Sequence, residues 1–404
     1  MQQYLLIILV FTIAYAMMAK RLSSTIITAP MMFLLLGFLL EKLDVINIEQ
    51  AEPLLHLIAE ISLIVLLFLD ASQTDLKSLK SKYVWPTRML LIGLPLAVGL
   101  GFIASTLFFP GIPFIVLALV AAILSPTDAA LGQAVVSNKE VPIAERQCLT
   151  VESGLNDGLA LPIILLFAYM LASLGGADQE GKNWLLFGIK QIILGPLAGI
   201  TIGWLGGKIF LIAESRQLTA PTFEGIAVLA LAGCAYIMAE LVQGNGFISA
   251  FTAGLVFGNL VKGHCRFIYE FTESEGQMLI WTSFLLIGLV LVPEAIQHLT
   301  WPMFSFILFS LFIVRPVSIY ISLLGTDSKK ITRIFLGWYG PRGLATALFA
   351  LLVIKGVTHE YADFVLYTAI NAVWISAILH GISAAPGANW YAKKIKVIIQ
   401  KDQP

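Results

Sequence analysis

Three short stretches place polar and charged side chains inside runs that are otherwise apolar. In Ser125-Pro126-Thr127-Asp128, the proline removes a helix N–H and clashes with the preceding turn, so a helix entering from Ala121 should break there. A broken helix offers freed carbonyls to a cation and a partly positive N-terminus to a carboxylate. Alternatively, Asp128 only caps the second half of the same helix, as aspartates do at N-termini. In Glu152-Ser153-Gly154-Leu155-Asn156-Asp157-Gly158, the helical repeat fans Glu152, Ser153, Asn156 and Asp157 over roughly 140° of one face. Two carboxylates, an amide and a hydroxyl then converge on one side, and Asp157 lies ~20 Å along the axis from a helix start near residue 143. That depth is inside hydrocarbon if the segment spans a bilayer, where an ionisable side chain costs several kcal/mol and needs a reason. A purely structural polar cluster is the competing account.

The third stretch is Gly340-Pro341-Arg342-Gly343, a second predicted helix break carrying a charge. Arg342 and Arg315, the latter in Val314-Arg315-Pro316, are the two basic residues deep inside apolar runs. Arginine stays charged, so each must find a carboxylate or helix C-terminal carbonyls, or else snorkel to an interface. The interrupted segments carry opposite charges, Asp128 in one and Arg342 in the other, able to neutralise opposed half-helix ends. Asp70 near the end of an apolar run reads equally as an interface cap or a functional group. His380 reads as a satisfied packing residue, and Glu224, Glu240 and Glu294 as interfacial.

The elements that must hold these residues follow from composition. Of 404 residues, 58% are hydrophobic and 12% charged, about half the charge of a soluble domain. A net charge of zero argues against nucleic acid as a partner. Cys148, Cys234 and Cys265 are scattered without metal-ligand spacing and read as packing residues. The apolar start has no basic region before it, so it reads as a retained first span rather than a cleaved signal. Apolar runs predict about thirteen transmembrane helices, near 3–19, 24–41, 53–71, 85–108, 112–136, 143–172, 185–213, 221–242, 246–261, 277–297, 301–324, 331–354 and 361–384. Thirteen spans put nineteen of the 25 basic residues, tail included, on one side, with only Lys42, Lys182, Lys190 and Lys355 opposite. The positive-inside rule then places the N-terminus outside and the C-terminus in the cytoplasm. Trp85, Trp184, Trp301 and Trp390 near predicted borders fit an aromatic belt.

The expected architecture is an all-α polytopic membrane protein with one membrane domain over residues 1–384. A linker helix near 185–213 would join two inverted six-helix repeats, about 1–175 and 221–384, whose broken helices cross at the centre. Residues 385–404 read as a short cytoplasmic tail, and no soluble domain is expected.

Together, Ser125-Pro-Thr-Asp128, Glu152-Ser-Gly-Leu-Asn-Asp157-Gly158 and Gly340-Pro-Arg-Gly343 resemble the NhaP/NHE-type monovalent cation:proton antiporters, over the whole chain. The resemblance implies an NhaA/NapA-like antiporter fold, with a dimerisation domain and a mobile core, in a homodimer of the plasma (inner) membrane serving pH homeostasis. It implies that Asp157 takes up either a proton or Na+, that Asp128, Ser153 and the Thr127 carbonyl complete the cation site, and that a buried arginine, matched to Arg315, holds Glu152. Asn156 and Arg342 would support that network. Two departures stand out: Ala129-Ala130 follow Asp128 where many members have Pro-Val, and Asp70 matches the third-span acidic position only loosely.

The implied function is secondary antiport of Na+ or Li+ against H+ by alternating access, with membrane lipid and the transported ions as partners and no cofactor or enzymatic step. Related electrogenic members carry a carboxylate pair where this chain has Asn156-Asp157, so one-for-one electroneutral exchange is expected. A K+/H+ antiporter of the same fold is the alternative. A cation channel lacks an evident pore loop or charge ring. An intramembrane aspartyl protease using Asp128 and Asp157 would leave the two arginines and Glu152 unexplained.

Overall fold

The computed structural model describes residues 2–22, 25–43, 48–74, 84–128, 131, 133–136, 138–174, 184–265, 270, 275–354 and 359–401. Lys77, Lys80, Lys82, Lys182, Arg266 and Lys355, which enter the charge asymmetry, and Ala129-Ala130 lie outside these. The regular structure among the described residues is all helical, as lipid demands of a chain whose backbone must satisfy its own hydrogen bonds. In order they form α1 (Gln2–Leu22), α2 (Ala29–Lys42), α3 (Ile48–Ser72), α4 (Val84–Phe108), α5 (Phe114–Ile123), α6 (Gln133–Val136), α7 (Ile143–Leu174), α8 (Trp184–Ser215), α9 (Pro221–Leu241) and α10 (Gly246–Leu260). Then come α11 (Glu275–Leu286, continuing through a π turn to Val292–Gln297), α12 (Trp301–Ser322), α13 (Lys330–Trp338), α14 (Leu344–Ile354) and α15 (His359–Lys401).

Thirteen full spans were expected. Among the described residues, eight helices are long and apolar enough to cross a membrane: α3, α4, α7, α8, α9, α11, α12 and α15. Four shorter apolar stretches accompany them in α1, α5, α10 and α14. The predicted spans 112–136 and 331–354 are each split. With 10 and 11 residues, α5 and α14 reach about 15 Å, half the hydrocarbon thickness. The chain leaves α5 at Leu124 and is non-helical through Asp128, where Pro126 can donate no N–H. It leaves α13 at Trp338 and stays non-helical from Tyr339 to Gly343, around Pro341.

Close helix approach depends on glycine in places. A Cβ on Gly258 of α10 would sit 1.9 Å from the Ser72 carbonyl oxygen of α3, so the two backbones meet only because that atom is missing.

One border differs from expectation. The last helix does not end near 384 but continues through Pro386 to Lys401, a single helix of 43 residues. Its far end packs against the start of α7 and against α13 rather than trailing free. Tyr391 is fully buried, stacks on Phe335 at 3.9 Å and donates to Glu145 Oε1 at 2.6 Å, with Thr332 Oγ1 2.7 Å from its hydroxyl. Asn138 Nδ2 donates to Asn389 Oδ1 at 2.9 Å, and Lys396 pairs with Glu140, which holds that exposed carboxyl below its usual pKa. Pro386-Gly387 reads as a break just past 384, but Tyr391 and Ile395 beyond it keep an apolar face turned to the bundle. Tyr391→Phe removes the donor to a buried carboxylate. It should destabilise the detergent-purified protein by about 1–3 kcal/mol, read as a lower Tm.

Candidate functional site

The two breaks meet, and each end is satisfied by a group from the other. Asp128 N–H donates to Pro341 O at 2.9 Å, and Asp128 Oδ2 accepts from Leu344 N–H, the first residue of α14, at 2.8 Å. Asp128 therefore caps α14 across the break, while Ala129 and Ala130, where a local cap would act, lie outside the described residues. An N-cap carboxylate at a helix start gains from both the hydrogen bond and the dipole. In return, Arg342 Nη1 donates to Ser125 O and Pro126 O, both at 3.3 Å, in the break just past α5, and to Gly340 O at 3.1 Å. Arg342 is 1% exposed and does not snorkel. A Cβ on Gly343 would lie 2.1 Å from Asp128 Oδ2, so the cap requires glycine there.

Behind this crossing lies a second fixed charge pair. Arg315 Nη1 and Nη2 donate to Glu152 Oε1 and Oε2, each at 3.0 Å, with both side chains 4% exposed. The bidentate fork matches carboxylate geometry, and it passes where a Cβ on Gly340 would fall 1.5 Å from Arg315 Nε. Thr127 Oγ1 donates to Glu152 Oε2 at 3.3 Å and accepts from Asn156 Nδ2 at 2.5 Å. Ser153 Oγ donates to Thr127 O at 2.9 Å. Thus Thr127, Glu152, Ser153, Asn156 and Arg315 form one hydrogen-bonded unit joining the α5 break, α7 and α12.

Asp157 stands apart. Its Oδ1 is buried with no hydrogen-bond partner among the described residues. It lines a cavity of about 230 Å3 together with Asp70, Thr127, Asp128 and Ser153, room for an ion with several waters. Three carboxylates around one cavity make it attractive to positive charge. The wall continues through Gln73, Thr74, Val136, Thr150 and Gln277, at the ends of α3, α6, α7 and α11 on one side of the bundle. On its other flank, Gly158 is covered by Phe251 of α10, whose ring would be 2.2 Å from a Cβ there.

Sequence reasoning placed Asp70 only loosely, and it proves to share the cavity. His380 is buried with partners for both ring nitrogens, as expected of a satisfied packing residue. The Leu344 amide was missed, because a backbone donor leaves no mark beyond the break itself. Glu145 was missed because its partner Tyr391 is 246 residues away.

The family described as "sodium/hydrogen exchanger, transmembrane" matches residues 6–390. The chain belongs to the sodium/hydrogen exchanger family. It is 24% identical over 392 residues to the K(+)/H(+) antiporter NhaP of Alkalimonas amylolytica, covering 95% of this chain and 65% of that one. It is 24% identical over 393 residues to the probable Na(+)/H(+) antiporter 2 of Methanocaldococcus jannaschii, covering 90% and 91%. The chain spans less than two thirds of the Alkalimonas relative and 57% of the Shewanella oneidensis K(+)/H(+) antiporter NhaP2, to which it is 26% identical over 344 residues, 82% of this chain. The solved sodium proton antiporter MjNhaP1 from M. jannaschii superposes with a TM-score of 0.78 at 20% identity, covering 97% of each chain. The fold is that of an integral, multi-pass, all-α membrane protein.

Glu152→Gln should cost about 3–5 kcal/mol by leaving the Arg315 charge buried and unpaired. The double replacement Glu152→Leu with Arg315→Met, which removes both charges, should recover most of that loss. Thermal unfolding of the purified variants reads both.

Proposed function

We propose that this exchanger is a secondary antiporter that trades Na+ or Li+ for H+, one for one, with Asp157 binding either the proton or the cation. The observation that carries this is the contrast within one site. The Glu152 carboxylate is locked by Arg315 and Thr127 and Asp128 is engaged with Leu344, whereas Asp157 presents an unpartnered oxygen beside the cavity. A carboxylate with no internal partner is free to exchange ligands. Ser153 and the second lone pair of the Thr127 carbonyl lie at the same wall to complete a cation shell with Asp128. One exchangeable carboxylate holds one proton or one monovalent cation, so the net charge moved per cycle is zero.

Alternating access is supported by the one-sided cavity. Its wall runs to helix ends beside the predicted basic loops, so with the N-terminus outside and the C-terminus cytoplasmic, this conformation faces inward at the plasma membrane. The thirteen-span inverted repeat is supported by paired features in equivalent positions. A π turn at Met89–Gly93 precedes Leu94-Pro95 in α4, and one at Ser310–Val314 precedes Arg315-Pro316 in α12. The α10–α3 crossing at Gly254 and Gly258 has its counterpart in the α2–α11 crossing at Gly37 and Gly288, where a Cβ would meet a carbonyl oxygen within 2.2 Å in each case. A homodimer follows from the family resemblance. Exchange of K+ is the second reading, favoured by the names of the Alkalimonas and Shewanella relatives. An aspartyl protease is disfavoured, since Asp128 is engaged with an amide rather than poised to share a proton.

Purified protein in proteoliposomes loaded with a pH dye separates these readings. Na+ or Li+ pulses should drive proton release that an imposed membrane potential leaves unchanged, and K+ should give the weaker response. Asp157→Asn should reduce the signal to that of empty vesicles. Exchange retained in that variant removes Asp157 from its role.

A further inference from the structure

One polar set on α15 has no part in the site so far. Ser376, His380 and Ser383 recur at i, i+4 and i+7, one face of the helix, and that face is turned to the gap between α13 and α14. Ser376 Oγ accepts from Arg342 N–H at 2.7 Å. His380 Nδ1 lies 3.1 Å from Ser376 Oγ, and its Nε2 lies 3.0 Å from the Trp338 carbonyl oxygen, the last helical residue of α13. The Trp338 ring stacks on the imidazole at 4.8 Å and 22°, and its indole N–H donates to Ser383 Oγ at 3.1 Å. Ser376 and His380 are at most 1% exposed.

One tautomer accounts for the chain. With the proton on Nε2, the ring donates to Trp338 O and its bare Nδ1 accepts the Ser376 hydroxyl proton, leaving Ser376 Oγ to accept from Arg342 N–H. The other tautomer would let Nδ1 donate to Ser376 O, 3.1 Å away, but would set Nε2 and the Trp338 oxygen face to face as two acceptors. Both lips of the break are thereby held by one side-chain pair: α13 at its last carbonyl, and the approach to α14 at the Arg342 amide. Two residues after that amide, Leu344 N–H binds the Asp128 carboxylate that lines the cavity.

We propose that Ser376 and His380 are positioning residues for ion exchange, fixing the α13–α14 break so that Leu344 and Arg342 hold Asp128 and the α5 carbonyls in register with Asp157. This rests on the antiport reading. Losing the clamp lets the break shift, and Asp128 with it, so the cation is bound less well.

The test is exchange in proteoliposomes, with half-saturating cation concentration measured separately from maximal rate. Ser376→Ala should raise that concentration by about tenfold or more, the scale of one lost buried hydrogen bond. His380→Phe, which keeps a ring against Trp338, should do the same. The double variant should be little worse than the worse single, since both interrupt one chain. Ser376→Thr, which retains the hydroxyl, should restore the affinity. Ser376→Cys, isosteric with a weaker acceptor, should fall between, and it carries the test if the alanine variant does not assemble. Reduced yield or Tm with wild-type half-saturation in the assembled protein overturns the positioning role alone. Absence of Na+, Li+ and K+ exchange in the wild type overturns the antiport reading, and the positioning role with it.

Discussion

Arg342 on the carbonyls of the break just past α5, and Asp128 on the amide that begins α14, form the contact on which the rest of the centre hangs. Inside a bilayer no water is available to satisfy a helix that stops halfway, and each unpaired backbone group costs several kcal/mol. Two half-length helices are tolerated here because each break supplies what the other lacks. The cation goes to the end rich in carbonyls and the carboxylate to the end rich in amides, the arrangement that helix dipoles favour. Neither charge is spare: removing one leaves its partner and a helix end uncompensated together.

That constraint sorts the polar residues by freedom rather than by type. Glu152 and Asp157 are both carboxylates on α7, little more than one turn apart, yet one is gripped by a guanidinium fork and a hydroxyl and the other has a bare oxygen. Thr127 makes the division sharp. Its hydroxyl is committed to Glu152 and Asn156, and its carbonyl receives Ser153, so one residue at the cavity wall ties the break to α7. Under the proposed antiport, rigidity around Asp157 would serve selective ion binding, because a mobile shell would adapt to any cation.

Much of this was legible in the order of residues, for stated physical reasons. Pro126 and Pro341 announce helix breaks by their chemistry alone, and a charge within an apolar run announces a partner. The partners' identities were not legible from residue types, because the pairs join segments far apart in sequence: Glu152 with Arg315, Asp128 with Leu344, Tyr391 with Glu145. Local rules favour the nearest solution. They suggested that the last helix ends near 384, before Pro386-Gly387, and that border gives way to the tertiary contacts of Tyr391. Of the polar set Ser376, His380 and Ser383, the sequence singled out only His380, as a packing residue. A lone buried histidine is usually explained by packing, and only the facing break gives its two nitrogens distinct partners.

The glycines at the crossing carry the last constraint. Gly340 admits the Arg315 side chain and Gly343 admits the Asp128 carboxylate, so each glycine of the Gly-Pro-Arg-Gly stretch is a space filled by a charged group from another element. The motif thus encodes two cavities of side-chain size flanking a proline that prevents the helix from closing over them. Read this way, its four residues act as one device: the proline opens the helix, the glycines receive the charges, and the arginine answers the opposing helix end. Replacing any one by a residue of similar polarity would keep the composition and lose the crossing, because what is specified is room and direction rather than charge alone.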